Sequence, residues 1–461
     1  MNKLIYKIMT MATQSALWLL KRVDYYFAGS VIKLNNPDHI RDPYTTFNTL
    51  RERSPVLRSY SNAGWIVTGF EQVSSLLRDR RISSDMRKNT FFFSILKFAM
   101  GEKGAALLNN PNMLQRDAPD HTRLRKLVAK GFMHKYVQSL APTIERLVDE
   151  LVDTIPADAD QFDVIESLAK PLPAIVIAEM MGVPVSERHL FETWSEALIG
   201  VSDLTSPIAM RTAGEANLEM QNYIATLAED KRANPGQDLI SQLIEAEEDF
   251  DKLSLDELYS TCVLLLVAGH ETTTRLIGNC LYLLLKHPKQ MKLARSDEYC
   301  LMNALEESLR FEPPVQFTIR FVEEPFVLED RSLKRGQMLM LSIAGANRDP
   351  LANENPDQFD IEREKIAHVS FGHGIHLCLG MSLARLEAKI VFQKLFERFE
   401  SLQFAESEHN WGNNDFVRGL ETLTVKQPAV TSLTPLPGVS QPVPVSDHTL
   451  RIPGLTHQRY L

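Results

Sequence analysis

One cysteine stands in the run Phe371-Gly-His-Gly-Ile-His-Leu-Cys378-Leu-Gly380. Directly after it, Leu379, Leu383, Leu386, Ile390, Leu395 and Phe399 recur at helical spacing. A sulfur placed there lies near a helix N-terminus and near backbone N–H groups that a glycine-rich turn leaves free. Both favour the thiolate, the form that binds metals and attacks electrophiles. The glycines also let a flat group lie close against the loop. The competing reading is a buried, inert cysteine. A zinc site is disfavoured because no second cysteine is near, although His373 and His376 are candidate partners.

A second feature is the polar run Ala268-Gly-His-Glu-Thr272-Thr-Thr inside an otherwise apolar helical segment. Gly269 permits close approach by a ligand or another backbone. Thr272 can bond back to the preceding turn and loosen the ladder. Glu271 is costly to bury unless paired or used. The plain alternative is a satisfied polar network at a helix crossing. A third feature, Glu307 and Arg310, puts a carboxylate and a guanidinium on one helix face. Most such pairs are solvated surface contacts.

These groups need a frame. Ser254 and Glu257 form a capping box, and the pattern predicts a helix from there to Lys286, stopped by His287-Pro288, about 48 Å long at ~1.5 Å per residue. Its stretch from Cys262 to Ala268 is apolar on every side, which predicts burial all round. Trp65-Ile-Val is a strand candidate. Phe326-Val-Leu and Met338-Leu-Met-Leu form a predicted pair turning near Lys334-Arg-Gly. The chain of 461 residues carries 50 Lys+Arg against 59 Asp+Glu, net charge −9, with 44% hydrophobic residues. This is a folded, acidic composition that argues against a nucleic-acid binder. Four cysteines in such a length are no disulfide framework and read as reduced thiols of a cytoplasmic protein. Residues 1–35 form an N-terminal extension with two open readings, an amphipathic helix on the protein's own surface or loose membrane association. Residues 36–426 read as one large, mainly α domain with a small β part. Residues 427–461, rich in proline, read as an extended, disordered tail.

Taken together, the sequence resembles the cytochrome P-450 haem-thiolate monooxygenases, most closely the soluble bacterial members, from about Asn36 to Lys426. The resemblance rests on Asp117-Ala-Pro-Asp-His121-Thr-Arg-Leu-Arg125, the Ala268–Thr272 segment, the Glu307/Arg310 pair, Asn347-Arg348-Asp349-Pro350 and the cysteine loop. It implies a single domain around a buried haem b, with Cys378 as the proximal thiolate ligand. His121, Arg125, Arg320 and His376 then hold the propionates. Phe371, Gly380, Ala268 and Gly269 line the same group. Glu307, Arg310 and Arg348 tie the core together beneath it. Glu271 and Thr272 match an acid–alcohol pair that supplies protons to oxygen.

Phe91, Phe92, Val267, Gln316, Phe317, Phe416 and Val417 match substrate-lining positions. Nearly all are apolar, which implies a lipophilic substrate such as a fatty acid, terpenoid, steroid or polyketide-like molecule. Electrons then come from NAD(P)H through a ferredoxin reductase and a ferredoxin, for which Arg123, Lys126 and Lys130 offer a cationic docking patch. The rival expectations are a peroxide-driven or non-oxygenase member of the family, a haem-binding protein without turnover, and a helical protein with a structural metal.

Overall fold

A computed structural model describes residues 20–30, 32, 36–61, 64–90, 92–94, 97, 112–156, 159–199, 207–245 and 253–427. The chain divides into two compact units, Met1–Gln427 and Pro428–Leu461. The proline-rich tail beyond Gln427 lies outside the described residues, as do residues 1–19 and Phe91.

Six helices position the groups singled out above: α1 (Asp120–Ala129), α2 (Pro171–Met180), α3 (Arg188–Ile199), α4 (Leu255–Lys286), α5 (Glu298–Phe311) and α6 (Met381–Arg398). In α4, Ser254 Oγ accepts from Glu257 N (3.2 Å) and Glu257 Oε2 accepts from Ser254 N (3.0 Å), the reciprocal cap that the sequence calls for. His287 caps the other end, and Pro288 opens the following helix. Helices α2, α3, α5 and α6 all pack on α4. Burial all round is not what results. Cys262, Leu265 and Leu266 are buried, but Val267 and Thr272 are only partly covered and Ala268 is exposed. One strip of the helix therefore faces open space, at the i, i+4 spacing of Ala268 and Thr272.

The strands are β1 (Val56–Ser59), β2 (Gly64–Val67), β3 (Ile82–Ser83), β4 (Gln161–Asp163), β5 (Phe317–Val322), β6 (Phe326–Leu328), β7 (Arg331–Leu333), β8 (Met338–Ser342), β9 (Gln403–Phe404) and β10 (Thr424–Lys426). They form a five-stranded sheet in the order β1-β2-β8-β5-β3, a three-stranded sheet β4-β10-β9 and the hairpin β6-β7. The expected pairing of Phe326–Leu328 with Met338–Leu341 is not formed. β6 pairs with β7 through a two-residue turn in which Glu329 adopts φ +47°, and β8 pairs antiparallel with β5. A tight local turn closes at less entropic cost than the longer loop, and that releases β8 for the central sheet.

Where the N-terminal extension is described, it lies on the protein. Residues 20–28 are helical, Asp24 accepts from Tyr60 N (2.7 Å) and Ser59 Oγ (3.0 Å), and Ala28 and Ile32 join a small core with Tyr44 and Phe47. Among the described residues no helix is long and apolar enough to cross a membrane.

Helix α6 carries an unusual buried acid. Glu387 is almost fully enclosed, and its Oε2 has no hydrogen-bond partner. Burial raises its pKa from 4.5 to about 8. Between those values the folded protein keeps a proton that the unfolded chain has lost, so this residue makes stability fall as pH rises through that window. Glu387→Gln, neutral throughout, is expected to gain on the parent by up to about 1.4 kcal/mol per pH unit as pH rises across it. Denaturant unfolding of both proteins near each end of the window measures the difference.

Candidate functional site

The cysteine loop is shaped by Gly372 (φ +69°) and Gly374 (φ +70°), both left-handed. At Gly374 a Cβ would stand 2.6 Å from Leu77 O, so only glycine fits the close approach. Cys378 N donates to Phe371 O (2.8 Å), which folds the loop back and places the sulfur ahead of α6. Burial pushes the Cys378 thiol up. The N–H groups of Gly380 and Met381 and the guanidiniums of Arg125 and Arg385 pull it down. The thiolate preference expected from loop and helix alone is thus outweighed by desolvation. A cation bonded to the sulfur reverses this balance, because a coordinating thiol is deprotonated outright. Around the same loop Arg385 makes a bidentate pair with Glu306 (2.6 and 2.8 Å), and its guanidinium lies 4.4 Å from the centre of the Phe371 ring. His368 Nε2 lies 3.0 Å from Glu306 Oε2. Arg385 and His368 overcome burial and hold the Glu306 carboxyl at about 2.

Four donors from three distant segments converge. His121 and Arg125 lie one turn apart on α1, Arg320 on β5 and His376 in the cysteine loop. The rings of His121 and His376 are 4.3 Å apart. His376 Nε2 meets Ser84 Oγ (3.0 Å), Arg125 Nη2 donates to Leu377 O (2.6 Å), and Arg320 Nη1 donates to Thr318 Oγ1 (2.7 Å) and Ile319 O (2.9 Å). Among the described residues no carboxylate forms an ion pair with Arg125 or Arg320. The carboxylate nearest in influence, Asp117, is engaged by Ser83 Oγ and Ser84 N. The Nδ1 atom of His121 is buried without a partner. Burial lowers the pKa of all four groups, Arg320 to about 10, and burial with the neighbouring cations takes His376 to about 3. Cations and donors that are buried or partly buried without a counter-anion make a site for carboxylates. They fit the two propionates of a haem whose iron would meet the Cys378 sulfur. Gly380 contributes open space, since a Cβ there would meet nothing within 4 Å.

The polar run on α4 divides by face. His270 and Thr274 satisfy neighbouring elements: His270 Nδ1 meets Ser195 Oγ of α3 (2.5 Å), its Nε2 meets Lys170 O (2.7 Å), and Thr274 Oγ1 donates to Ala169 O (3.0 Å). Gly269 departs from its expected part in cofactor binding. A Cβ there would stand 3.2 Å from Ile177 Cδ1, so the missing side chain serves the packing of α2 on α4. Ala268 and Thr272 do occupy the open strip, with Thr272 Oγ1 donating to Ala268 O (2.7 Å). Glu271 does not meet Thr272. Its Oε1 is bound by Arg275 Nε (2.7 Å) and Nη2 (2.5 Å).

Glu307 and Arg310 are fully enclosed and form a two-point pair at 2.6 and 2.7 Å. The third member is not Arg348. Arg363 Nε reaches Glu307 Oε1 at 3.0 Å, while Arg348 donates to Phe311 O (2.8 Å) and Asp357 (2.8 Å) and stacks 3.3 Å from the Phe311 ring centre. Arg363 lies in an irregular segment, where no periodic signal marks it.

The substrate-lining candidates are only partly gathered. Phe92 stacks 5.8 Å from Phe321, and Val267 lies beside the open strip of α4. Val417 bridges Val315, and Phe416 O accepts from Gln316 N (3.0 Å). Gln316 is buried, with its Nε2 bound to Pro313 O (2.6 Å). Phe317 joins the small core of Tyr44, Phe47 and Met340 on the face of β5 opposite Arg320, and its ring lies 5.4 Å from that of Phe416. Arg123 is paired with Glu257 of α4, so the cationic patch loses it; Lys126 remains exposed.

Comparison with known proteins places most of the chain among relatives of one family. The profile of the family described as Cytochrome P450 matches residues 27–297 and 299–420. Cytochrome P450 107B1 of Saccharopolyspora erythraea is 42% identical over 393 residues, covering 84% of this chain and 95% of its own. Cytochrome P450 monooxygenase PikC of Streptomyces venezuelae is 40% identical over 397 residues, covering 84% and 92%. The solved structure of the bacillaene polyketide synthase cytochrome P450 PksS of Bacillus subtilis 168 matches with a TM-score of 0.78 at 36% identity, covering 86% of this chain and 99% of that one.

Proposed function

The chain belongs to the cytochrome P450 family and is an oxidoreductase of the monooxygenase type; from that premise we propose that it hydroxylates or epoxidises a lipophilic small molecule in the cytoplasm. Two electrons arrive from NAD(P)H through a ferredoxin reductase and a ferredoxin. The observation that carries the reading is the convergence of four anion-seeking groups from α1, β5 and the cysteine loop, His121 and Arg320 buried and Arg125 and His376 partly so, beside the loop that holds Cys378.

In this reading Cys378 ligates the iron, and His121, Arg125, Arg320 and His376 hold the propionates. Haem with a cysteine ligand supplies the activation of dioxygen. The protein's own contribution is placement. Val267 and Ala268 present an apolar wall beside Thr272 on the open strip of α4. The Thr272 hydroxyl, already donating to Ala268 O, keeps acceptor lone pairs with which it can orient a proton-bearing water. Glu271, next along α4, is the acid that replenishes that proton. PksS, named for a polyketide synthase, is consistent with a bulky lipophilic substrate for the family branch.

Turnover under isotopically labelled dioxygen tests the reaction class: one labelled oxygen per product molecule is expected, and unlabelled product would reverse the proposal. Thr272→Ala is expected to retain haem and reduction but to divert most electrons to hydrogen peroxide. The yield of product and of peroxide per NADPH consumed measures this, and an unchanged partition would remove Thr272 from the proton path.

A further inference from the structure

Glu271 ends in an ion cluster that reaches the surface. Arg275, one turn along α4, binds Glu271 Oε1 through Nε and Nη2, and the same Nη2 lies 2.9 Å from Glu421 Oε1, while Nη1 donates to Leu420 O. Glu271 and Arg275 are buried; 47% of the Glu421 side chain is exposed. The loop carrying Glu421 is built around the pair. A Cβ on Gly419 would overlap the Arg275 stem, and one on Gly412 would overlap the Glu421 carboxylate. Gly412 N donates to Gly419 O (3.0 Å) and Glu421 N to Asn410 O (2.9 Å), which closes the loop. Phe416 and Val417, which meet Gln316 and Val315, lie on this loop.

One guanidinium thus serves two carboxylates, one beside Thr272 and one in solvent. Arginine stays protonated and cannot relay a proton, so its effect on Glu271 is to hold it. We propose that Arg275 and Glu421 are positioning residues for proton supply: Arg275 anchors the Glu271 carboxylate away from Thr272, and Glu421 competes for the anchor so that Glu271 is released to serve Thr272. The competition couples the anchor to the loop that bears Phe416 and Val417. This inference rests on the monooxygenase reading above.

The haem-loaded enzyme tests it, with NADPH, a plant-type ferredoxin and its reductase driving oxygen consumption without added substrate. Glu421→Gln, Arg275→Met and Arg275→Lys are compared with Glu271→Gln for peroxide per NADPH and for the solvent deuterium isotope effect. Isotope-edited infrared spectra follow the Glu271 carboxylate band, identified by its loss in Glu271→Gln. Arg275→Met, which removes the anchor and frees Glu271, is expected to lower the peroxide fraction severalfold and to move the band. Arg275→Lys is expected to restore both in large part. Glu421→Gln is expected to enlarge the isotope effect while haem content stays at the parent value. Should Arg275→Met fail to fold, the half-exposed Glu421→Gln decides alone. Parent values in Glu421→Gln, with altered values in Glu271→Gln, would overturn the proposal and leave the function standing. A parent that takes up haem and consumes no oxygen would overturn the function and the proposal with it.

Discussion

Arg310→Met is expected to destabilise the protein by about 3–5 kcal/mol, the cost of leaving one partner of a buried ion pair without the other. Both side chains are wholly enclosed. Arg310 also donates to the carbonyls of Asn347 (3.2 Å), Pro356 (2.7 Å) and Gln358 (3.0 Å), and Glu307 accepts from Asp360 N (2.9 Å) and Arg363. The pair therefore pins α5 to the irregular chain that leads to the cysteine loop. Against a typical total of roughly 5–15 kcal/mol, such a loss removes much of the folding margin. Denaturant unfolding and the haem content of freshly purified protein measure it. The double variant Glu307→Gln/Arg310→Met removes the orphaned carboxylate and leaves Arg363 on its carbonyl partners, so it is expected to recover part of the loss. A single variant within ~1 kcal/mol of the parent would show that the carbonyl contacts, not the charges, hold this region.

The second large effect is at Cys378. The side chain receives two backbone N–H groups and lies near Arg125 and Arg385, an environment made for a negative sulfur once a metal cation offsets the burial. Cys378→Ser keeps the size and the hydrogen bonds but loses the soft, electron-rich donor. Ferredoxin-driven turnover is expected to fall to background. The proposed propionate partners His121, Arg125, Arg320 and His376 are untouched, so measurable haem binding is expected to persist. Product formation and pigment content, assayed on the same preparation, separate the two consequences. Turnover at the parent rate would remove Cys378 from the reaction.

Much of this site was legible in the chain because its signals are local. The glycines at 372 and 374 announce a backbone that only they adopt, and the Ser254–Glu257 cap announces where the longest helix starts. What escaped the sequence is set by contacts far apart in the chain. Glu421 lies 146 residues beyond Arg275, and nothing in either neighbourhood announces the other. Arg363 replaces Arg348 beside Glu307 because the irregular chain between them folds back, and such a path has no period to read. Gly269 looked like a place for a ligand, yet the space is taken by Ile177 of another helix. Phe317 illustrates strand alternation: in β5 it faces the small core, whereas Arg320, three residues on, faces the histidines. Pairing of β8 with β5, rather than with its nearest neighbour in sequence, was decided by the short turn at Glu329–Asp330.

The central claim is that the Cys378 sulfur bonds the iron of a haem whose carboxylates meet His121, Arg125, Arg320 and His376. The absorption spectrum of the reduced, carbon-monoxide-treated protein tests it most directly. Thiolate ligation predicts a band near ~450 nm that is absent in Cys378→Ser. A band near ~420 nm in freshly folded parent protein, as nitrogen ligation gives, would contradict the account.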